Sequence, residues 1–264
     1  MSTSLAHDLA MALSLADPVD LFRRTIGEPD LWQARVLRST CGPNPLKRKT
    51  MMVCGRMTGK SATASVIACH VALTQNNSTV LLVAPSLRQS SLLFSSVMNC
   101  YHKLTGLDDP EAESRLSVTF SNKSKIISTP GGDGGSTIRG YACDAVICDE
   151  ACFVPRETLV EAVLPMLAVR KNSRLICLTS ASWAQGWAYD IFRNTADTTW
   201  HRERVTAYEC PRQDRAWLDD MKNEMGESAF NREFLALFQD PAESLFGAAV
   251  LEAAIDPNIR VIRF

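Results

Sequence analysis

The chain has 264 residues, of which 46% are hydrophobic and 22% are charged, and its formal net charge is −1. These values are typical of an ordinary globular protein with one sizeable core and an appended element, and they exclude a disordered or low-complexity chain. The near-zero net charge also excludes a global attraction for nucleic acid, so any DNA contact depends on local patches.

Nine cysteines are spread along the chain without a C-x-x-C pair, and their number is odd. Several lie in apolar runs, as Cys148 does in AVICDE and Cys177 in RLICLTS. This pattern favours free thiols that pack as small hydrophobic side chains in a reducing cytosol. A zinc site of Cys143, Cys148 and Cys152 is the alternative, although their spacing is not that of metal ligands.

The first elements are predicted to be helices. No apolar run is long enough to span a bilayer, and the first 18 residues lack the basic start of a signal peptide, so they predict an amphipathic helix ending near Asp17. Asp17 and Pro18 are typical of an N-cap and a first helical position, and Gly27 predicts the end of that helix. Residues 30–39 predict the next helix, and a turn follows at 42–45.

A basic run at 47–49 precedes the first strand. It is either the solvated approach to that strand or a contact to DNA.

From residue 50 onward, apolar strands alternate with helices. The predicted strands are 50–54, 78–85, 115–120, 124–129, 143–150, 173–180 and 200–208, and the predicted helices are 60–75, 86–104, 156–168 and 186–196. The strands 115–120 and 124–129 are expected to form a hairpin, and 131–136 a flexible glycine-rich loop. The alternation predicts an α/β fold with a mainly parallel sheet covered by helices on both faces.

The character of the chain changes after residue 208. Residues 214–238 predict two helices without further buried strands, and the end of the chain has only a weak strand signal. We therefore expect an ATPase-sized core over 1–208, a small helical lid subdomain over 209–242 and a tail over 243–264.

The stretch 51-MMVCGRMTGKSATASV-66 predicts a phosphate-binding loop, although Cys54 stands where the pattern G-x-x-x-x-G-K-[ST] has its first glycine. A strand that ends at Cys54 precedes the loop, and a helix that opens at Lys60 follows it. This arrangement points backbone N–H groups and a helix N-terminus at an anion. We expect Lys60 to reach the β and γ phosphates of a nucleotide and Ser61 to donate its oxygen to Mg²⁺. The expected nucleotide-binding residues of the loop are Gly55, Arg56, Met57, Thr58, Gly59, Lys60, Ser61 and Ala62.

Two carboxylates end the predicted strand AVICDEA. Asp149 is the expected metal ligand, and Glu150 is the expected base that orients water. The adjacent glutamate indicates an ATPase, and no N-K-x-D guanine motif is present. An acidic strand end beside a loop is the alternative interpretation, but its conjunction with the phosphate loop favours ATP and Mg²⁺ as ligands.

Polar residues at two other positions are candidates. Thr179 and Ser180 end the next strand, at the edge where ligands bind in open α/β sheets, and hydroxyls there can sense a γ-phosphate or couple to DNA contacts. An ordinary polar cluster at a strand end is the alternative. The amide of Gln33 can pair with adenine, although a glutamine on the surface of a helix is the simpler interpretation of that residue alone.

These motifs occur together in an order that resembles the ATPase domain of the large terminase subunit of tailed bacteriophages, the motor that packages viral DNA into a procapsid. In chain order they are LWQARV, CGRMTGKS, VLLVAPSLRQS, STIRGYACDAVICDEA, LTSAS and ESAFNREFLALFQDPAESLF. The resemblance runs from about residue 25 to 246 and implies a P-loop ATPase of the ASCE (RecA-like) type. Terminase loops resemble this one in carrying an arginine within a variant phosphate loop, so Cys54 and Arg56 are expected.

The resemblance also implies roles for single residues. Gln33 becomes the adenine-side glutamine, Lys60 and Ser61 the phosphate-loop pair, and Asp149 and Glu150 the metal and catalytic carboxylates. Thr179 and Ser180 become the motif that couples hydrolysis to DNA movement.

Two arginines are expected to act in catalysis. Arg56 lies on the loop around the phosphates and should act within its own subunit. Arg139 follows a glycine-rich loop, and the resemblance implies that it reaches a neighbouring subunit as an arginine finger. A solvated loop arginine or a contact to a DNA phosphate is the alternative for Arg139.

Partners and location follow only from the resemblance. It implies double-stranded DNA, the portal protein and the small terminase subunit as partners, and a homo-oligomeric ring, a pentamer, on the procapsid. It implies action in the host cytoplasm, transiently docked on the procapsid, with no membrane and no place in the virion. Large terminases carry a C-terminal nuclease domain of ribonuclease-H type, and this chain stops at Phe264, with Asp256 isolated, so we expect no nuclease activity from it.

Two other functions compete with the packaging ATPase. A helicase-like nucleic-acid-dependent ATPase shares the loop and the carboxylates but normally needs a second motor domain. A scaffold that binds nucleotide without turnover would not need Glu150.

Overall fold

The structure is a computed structural model that describes residues 15–41, 48–104, 107–132, 135–136 and 138–240. Its strands are β1 Lys49–Cys54, β2 Thr79–Ala84, β3 Ala112–Glu113, β4 Ser117–Thr119, β5 Lys125–Pro130, β6 Ala145–Asp149, β7 Arg174–Thr179 and β8 Trp200–Val205. Its α-helices are α1 Pro18–Thr25, α2 Leu31–Thr40, α3 Lys60–Thr74, α4 Leu87–His102, α5 Leu164–Ala168, α6 Trp187–Arg193, α7 Arg215–Met225 and α8 Glu227–Glu233.

The strands form one eight-stranded sheet in the order β3-β4-β5-β2-β6-β7-β1-β8. From β5 to β8 every neighbouring pair is parallel, whereas β3 and β4 add antiparallel pairings at one edge. The mainly parallel α/β fold is therefore confirmed. The hairpin expected from 115–120 and 124–129 is present as β4 and β5, and β5 also joins the main sheet by pairing with β2.

Both faces of the sheet are buried, which explains the nearly continuous apolar runs of the central strands. Along β1, Met52 and Cys54 pack into one apolar cluster, and Met51 and Val53 pack into another on the opposite face. The period of two that divides them is that of a strand.

The predicted helix caps are present. The Asp17 carboxylate accepts a hydrogen bond from the Val19 N–H at 2.9 Å, and Pro18 opens α1. Ser86 caps α4 by accepting from the Gln89 N–H at 3.3 Å. Most of the predicted N-terminal amphipathic helix, the turn at 42–45 and the tail at 243–264 lie outside the described residues.

The single helix predicted over 156–168 is wrong in its form. The structure has a 3₁₀ turn at Ala151–Phe153, a π-helical turn at Thr158–Val163 and the short α5. Pro165 offers a physical reason, because it has no N–H to donate and its ring would clash with the carbonyl four residues earlier in a regular helix. A widened turn before proline relieves that clash.

The two helices predicted within 214–238 are confirmed as α7 and α8. They enclose a small apolar cluster whose buried members are Ala207, Leu218, Phe230 and Phe234. The boundaries of core, lid and tail remain predictions. We refer to the segment from Ala207 to Gln239 as the lid.

The nine cysteines are free, and all are buried except the half-buried Cys152. Burial raises the pKa of Cys54 to about 12 and that of Cys152 to about 11, so both are neutral thiols at pH 7. Over the described ranges no three or more His, Cys, Asp or Glu side chains are grouped so that they could hold a metal ion, and Cys143, Cys148 and Cys152 therefore form no zinc site. None of the helices in those ranges is both long and apolar enough to cross a bilayer.

Candidate nucleotide-binding site

Three neighbouring strands bring the predicted motifs to one edge of the sheet. Strand β7 lies between β1 and β6, with Val53 opposite Thr179 and Leu178 opposite Asp149. Because these strands are parallel, the segments that follow them meet at their carboxyl ends. The phosphate loop, the hydroxyls and the carboxylates therefore lie side by side, although they are far apart in sequence.

The phosphate loop runs from the end of β1 to the start of α3. Met57 has φ 59° and Gly59 has φ 97°, so both are left-handed. In the described part of the chain, the main-chain N–H groups of residues 57–61 donate to no protein acceptor. Successive free N–H groups in such a turn, followed by a helix N-terminus, form an anion-binding concavity.

Gly55 is needed for close approach of the lid. A Cβ atom at this position would lie 2.5 Å from the Phe234 carbonyl oxygen and 3.2 Å from the Ala207 nitrogen. The Gly55 N–H donates to the Val205 carbonyl at 2.8 Å, and the Arg56 N–H donates to the Glu233 carbonyl at 2.7 Å. The loop and the lid are therefore in direct backbone contact.

Replacing Gly55 by alanine should loosen the lid. The added methyl group would overlap the Phe234 carbonyl, and such overpacking costs on the order of 1–3 kcal/mol. Thermal unfolding and hydrogen exchange of α8 would measure the effect. An unchanged melting temperature together with unchanged exchange in α8 would contradict this close contact.

Lys60 connects the loop to the other two strand ends. Its Nζ lies 3.1 Å from Glu150 Oε1 and 3.1 Å from Ser180 Oγ. Glu150 has φ 49°, a left-handed conformation that is uncommon for a residue with a side chain and is a form of strain found at functional sites. The strained backbone accompanies a carboxylate that points at the phosphate-loop lysine.

Asp149 is the buried member of the carboxylate pair. Burial raises the pKa of Asp149 to about 6, with the neighbouring Glu150 carboxylate acting in the same direction, while Lys60 and the Glu150 N–H, 2.9 Å from Asp149 Oδ1, oppose the shift. A divalent cation would stabilise such a buried carboxylate in its charged form. Asp149 and the Ser61 hydroxyl are hard oxygen donors that fit Mg²⁺.

Thr179 and Ser180 connect the end of β7 to both neighbouring strand ends. The Thr179 hydroxyl accepts from the Cys152 N–H at 3.4 Å and donates to the Ser180 carbonyl at 2.8 Å. Ser180 Oγ accepts from Lys60. Thr179 thus contacts the turn after Glu150, and Ser180 contacts the phosphate loop.

Gln33 is buried, with 1% of its surface exposed, so its interpretation as a surface glutamine is wrong. Its Oε1 accepts from the Asp30 N–H at 2.8 Å, and its Nε2 donates to the Gly59 carbonyl at 3.3 Å and to Thr63 Oγ1 at 3.2 Å. Its amide therefore buttresses the phosphate loop from behind. A groove of ≈ 710 Å³ adjoins it, lined by Trp32, Arg35, Pro211 and Arg212, among others.

The two predicted catalytic arginines have acidic partners. The Arg56 guanidinium pairs with Glu233 of α8, so the loop arginine contacts the lid. Arg139 Nη2 lies 2.7 Å from Glu161 Oε2, and both side chains are 56% exposed. The structure does not bring either guanidinium into an ion pair with Glu150, and their catalytic roles remain predictions.

Sequence reasoning missed Glu233, Arg212 and Gln213, which contact the phosphate loop from the lid. The separations in sequence between these residues and their loop partners are 177, 154 and 157 positions. A basic or polar residue before an ordinary helix carries no local signal of such a partner.

Residues 51–252 match the sequence profile of the family described as "Terminase large subunit, T4likevirus-type, N-terminal". The chain belongs to this family. The resemblance to large terminases that the motifs indicated is therefore confirmed.

Two curated terminase large subunits, from Thermus phage G20c and Thermus virus P23-45, are each 28% identical to this terminase chain over 194 residues. The match covers 66% of this chain and 38% of each relative, so the chain spans well under half the length of these relatives.

Solved terminase structures share the fold. The large terminase ATPase domain of Thermus phage P74-26 has a TM-score of 0.71 at 21% identity, covering 84% of this chain and 99% of that domain. The large terminase of bacteriophage HK97 has a TM-score of 0.69 at 15% identity, covering 85% of this chain and 55% of its own. The large terminase of a thermophilic bacteriophage, solved in complex with ADP, has a TM-score of 0.68 at 13% identity, covering 80% of this chain and 54% of its own. The terminase-type α/β fold, consistent with a RecA-like P-loop ATPase, is thereby confirmed.

Proposed function

We propose that this chain is the ATP-hydrolysing motor domain of a viral large terminase, and that it powers the movement of double-stranded DNA into a procapsid. The observation that carries the proposal is the meeting of Lys60, Glu150 and Ser180 behind five free N–H groups of the loop. Membership in the terminase family supports DNA as the substrate of the motor.

ATP is the proposed substrate of this site. The free N–H groups of residues 57–61 bind its phosphates, and Lys60 exchanges Glu150 and Ser180 for phosphate oxygens. Asp149 and Ser61 hold Mg²⁺, which neutralises developing charge on the phosphates. Once Lys60 has turned to the phosphates, Glu150 is free to accept a proton from the attacking water.

Coupling to DNA movement has two proposed routes. Thr179 and Ser180 connect the end of β7 to the turn after Glu150 and to Lys60. Arg56 connects the phosphate loop to Glu233 of the lid, so that a phosphate which attracts Arg56 would weaken its contact with the lid. A change at the γ-phosphate therefore reaches both the sheet and the lid.

The adenine base is proposed to occupy the groove beside α2, next to Gln33. The Trp32 and Pro211 side chains offer an apolar lining, and a base there would be close to the loop that holds the phosphates. Any direct contact between Gln33 and adenine requires the amide to release one of its three present partners.

Family membership also supports the proposed partners. These are the portal protein, the small terminase subunit and further copies of this chain in a pentameric ring on the procapsid, in the host cytoplasm. The absence of nuclease activity remains a prediction from the sequence.

Replacing Glu150 by glutamine tests the proposal. The wild-type chain should release phosphate from ATP, and faster with duplex DNA. Glu150→Gln should still bind Mg²⁺·ATP, because Asp149 and Ser61 remain, while turnover falls by at least about 10²-fold, the scale of a lost general base. Phosphate release and equilibrium binding of a fluorescent ATP analogue would be measured with and without DNA.

The matched control is Glu157→Gln, which makes the same change at an exposed position and should leave turnover unchanged. Loss of ATP binding together with hydrolysis would make Glu150 a structural residue. A wild-type chain that neither binds nor hydrolyses ATP would end the proposed function.

A further inference from the structure

We infer that Arg212 and Gln213, at the entrance to α7, are positioning residues that hold two carbonyl groups of the phosphate loop outward, so that the N–H groups of the loop face the nucleotide. The inference rests on the proposed function of the loop as a phosphate-binding site. It adds two residues of the lid to the phosphate-binding apparatus.

Peptide geometry provides the first step. In a planar trans peptide, the carbonyl of one residue and the N–H of the next point in opposite directions. The Met57 N–H therefore faces an anion only if the Arg56 carbonyl faces away from it, and the Gly59 N–H only if the Thr58 carbonyl does. A carbonyl turned away from solvent needs a donor on its far side.

The lid supplies these donors. Gln213 Nε2 donates to the Arg56 carbonyl at 3.0 Å, and Arg212 Nη2 donates to the Thr58 carbonyl at 3.2 Å. The thiol of Cys210 also donates to the Thr58 carbonyl, at 3.7 Å. The two carbonyls that must point outward are thus bound from one short segment.

The glycine carbonyls of the loop are served by other donors. The Gly55 carbonyl accepts from the Thr58 hydroxyl at 2.8 Å. The Gly59 carbonyl accepts from the Thr63 N–H at 3.1 Å and from Gln33. Arg212 and Gln213 therefore supply what the loop, α2 and α3 do not supply.

Arg212 is fixed in place by a second contact. Its Nη1 and Nη2 lie 2.8 and 2.7 Å from the two carboxylate oxygens of Asp30, whose side chain is only 7% exposed. A two-pronged pair of this kind fixes the plane of the guanidinium. The donor to Thr58 is therefore preorganised before any phosphate arrives.

Gln213→Met tests the inference, because methionine has a similar length, no charge and no donor. The affinity for Mg²⁺·ATP and the affinity for inorganic tripolyphosphate should fall by the same factor, about tenfold, the scale of a hydrogen bond whose acceptor is left unpaired. Isothermal titration would measure both ligands. Tripolyphosphate has no base or ribose, so it reports on the loop alone.

Three comparisons frame the result. Gln75→Met makes the same change at the far end of α3 and should leave both affinities unchanged. Arg212→Met should weaken tripolyphosphate binding, whereas Asp30→Asn, which leaves the bond from Arg212 to Thr58 possible, should weaken it much less. The melting temperature without ligand should stay close to wild type in Gln213→Met, because the bond that is lost lies at an exposed position.

The outcomes separate the inference from the function. Wild-type affinity for tripolyphosphate in both Gln213→Met and Arg212→Met would overturn the inference while Lys60→Ala, by losing binding, still supports a phosphate site. Weaker ATP binding with unchanged tripolyphosphate binding would also overturn it, since the residues would then act on the base. A wild-type chain that binds neither ligand would overturn the proposed function itself.

Discussion

Replacing Lys60 by alanine should abolish ATP hydrolysis and strongly weaken nucleotide binding. The substitution removes the cation and donor that is predicted to reach both the β and γ phosphates. It also leaves Glu150 and Ser180 without the ammonium that lies 3.1 Å from each of them. Phosphate release and equilibrium binding of a fluorescent ATP analogue would measure the two effects separately.

Lys171→Ala is a suitable control for this experiment, because Lys171 is exposed at the opposite edge of the sheet, just before β7. Its turnover should match wild type. Near-normal turnover in Lys60→Ala would end the phosphate-loop hypothesis, since no other lysine follows the loop onto α3.

Replacing Arg139 by alanine should reduce ATP hydrolysis in assembled rings by about 10³–10⁵-fold, the range for an arginine that stabilises the charge of a transferring phosphoryl group. In this chain Arg139 pairs with Glu161, and both side chains are largely exposed. Exposed pairs of this kind contribute little to stability, so a phosphate of a neighbouring subunit can replace Glu161 at small cost. Steady-state phosphate release under assembling conditions is the measurement.

Mixing two inactive proteins distinguishes action between subunits from action within one. Arg139→Ala retains Glu150, and Glu150→Gln retains Arg139, so some interfaces in a mixed ring pair an intact site with an intact arginine. Activity should then partly return. Glu161→Gln is the matched control, because it breaks the ion pair but keeps the guanidinium, and it should stay active.

Two results would count against Arg139 as an arginine finger. One is that every mixture stays inactive while wild type assembles and turns over ATP. The other is that isolated monomers hydrolyse ATP as fast as rings.

The central strands and the phosphate loop were readable from the sequence because their signals are local. Strands β6 and β7 are buried on both faces and so are largely apolar, and the residues Gly59, Lys60 and Ser61 stand at a strand-to-helix junction. The order of chemical groups along the sheet edge then follows from parallel strands.

The rest of the site depends on contacts that leave no local pattern. The burial of Gln33 is set by Gly59 and Thr63, which lie 26 and 30 positions away. The partner of Arg56 is an ordinary helix glutamate, Glu233, in the lid. The two-residue strand β3 escaped prediction because it is too short to display any periodicity.

The two ends of the sheet constrain how copies of this chain can associate. At one end stands β3, only two residues long, and at the other stands β8, which within the described ranges has β1 as its sole neighbouring strand. Residues 201–204 of β8 are His, Arg, Glu and Arg, and Arg202 is already engaged by the carbonyls of Ile191 and Asn194. Short or charge-rich outer strands resist the docking of a further strand from another molecule. Concentrated solutions should therefore resist fibre-like stacking, and any ring must be joined through helices and loops instead of a continuous intermolecular sheet.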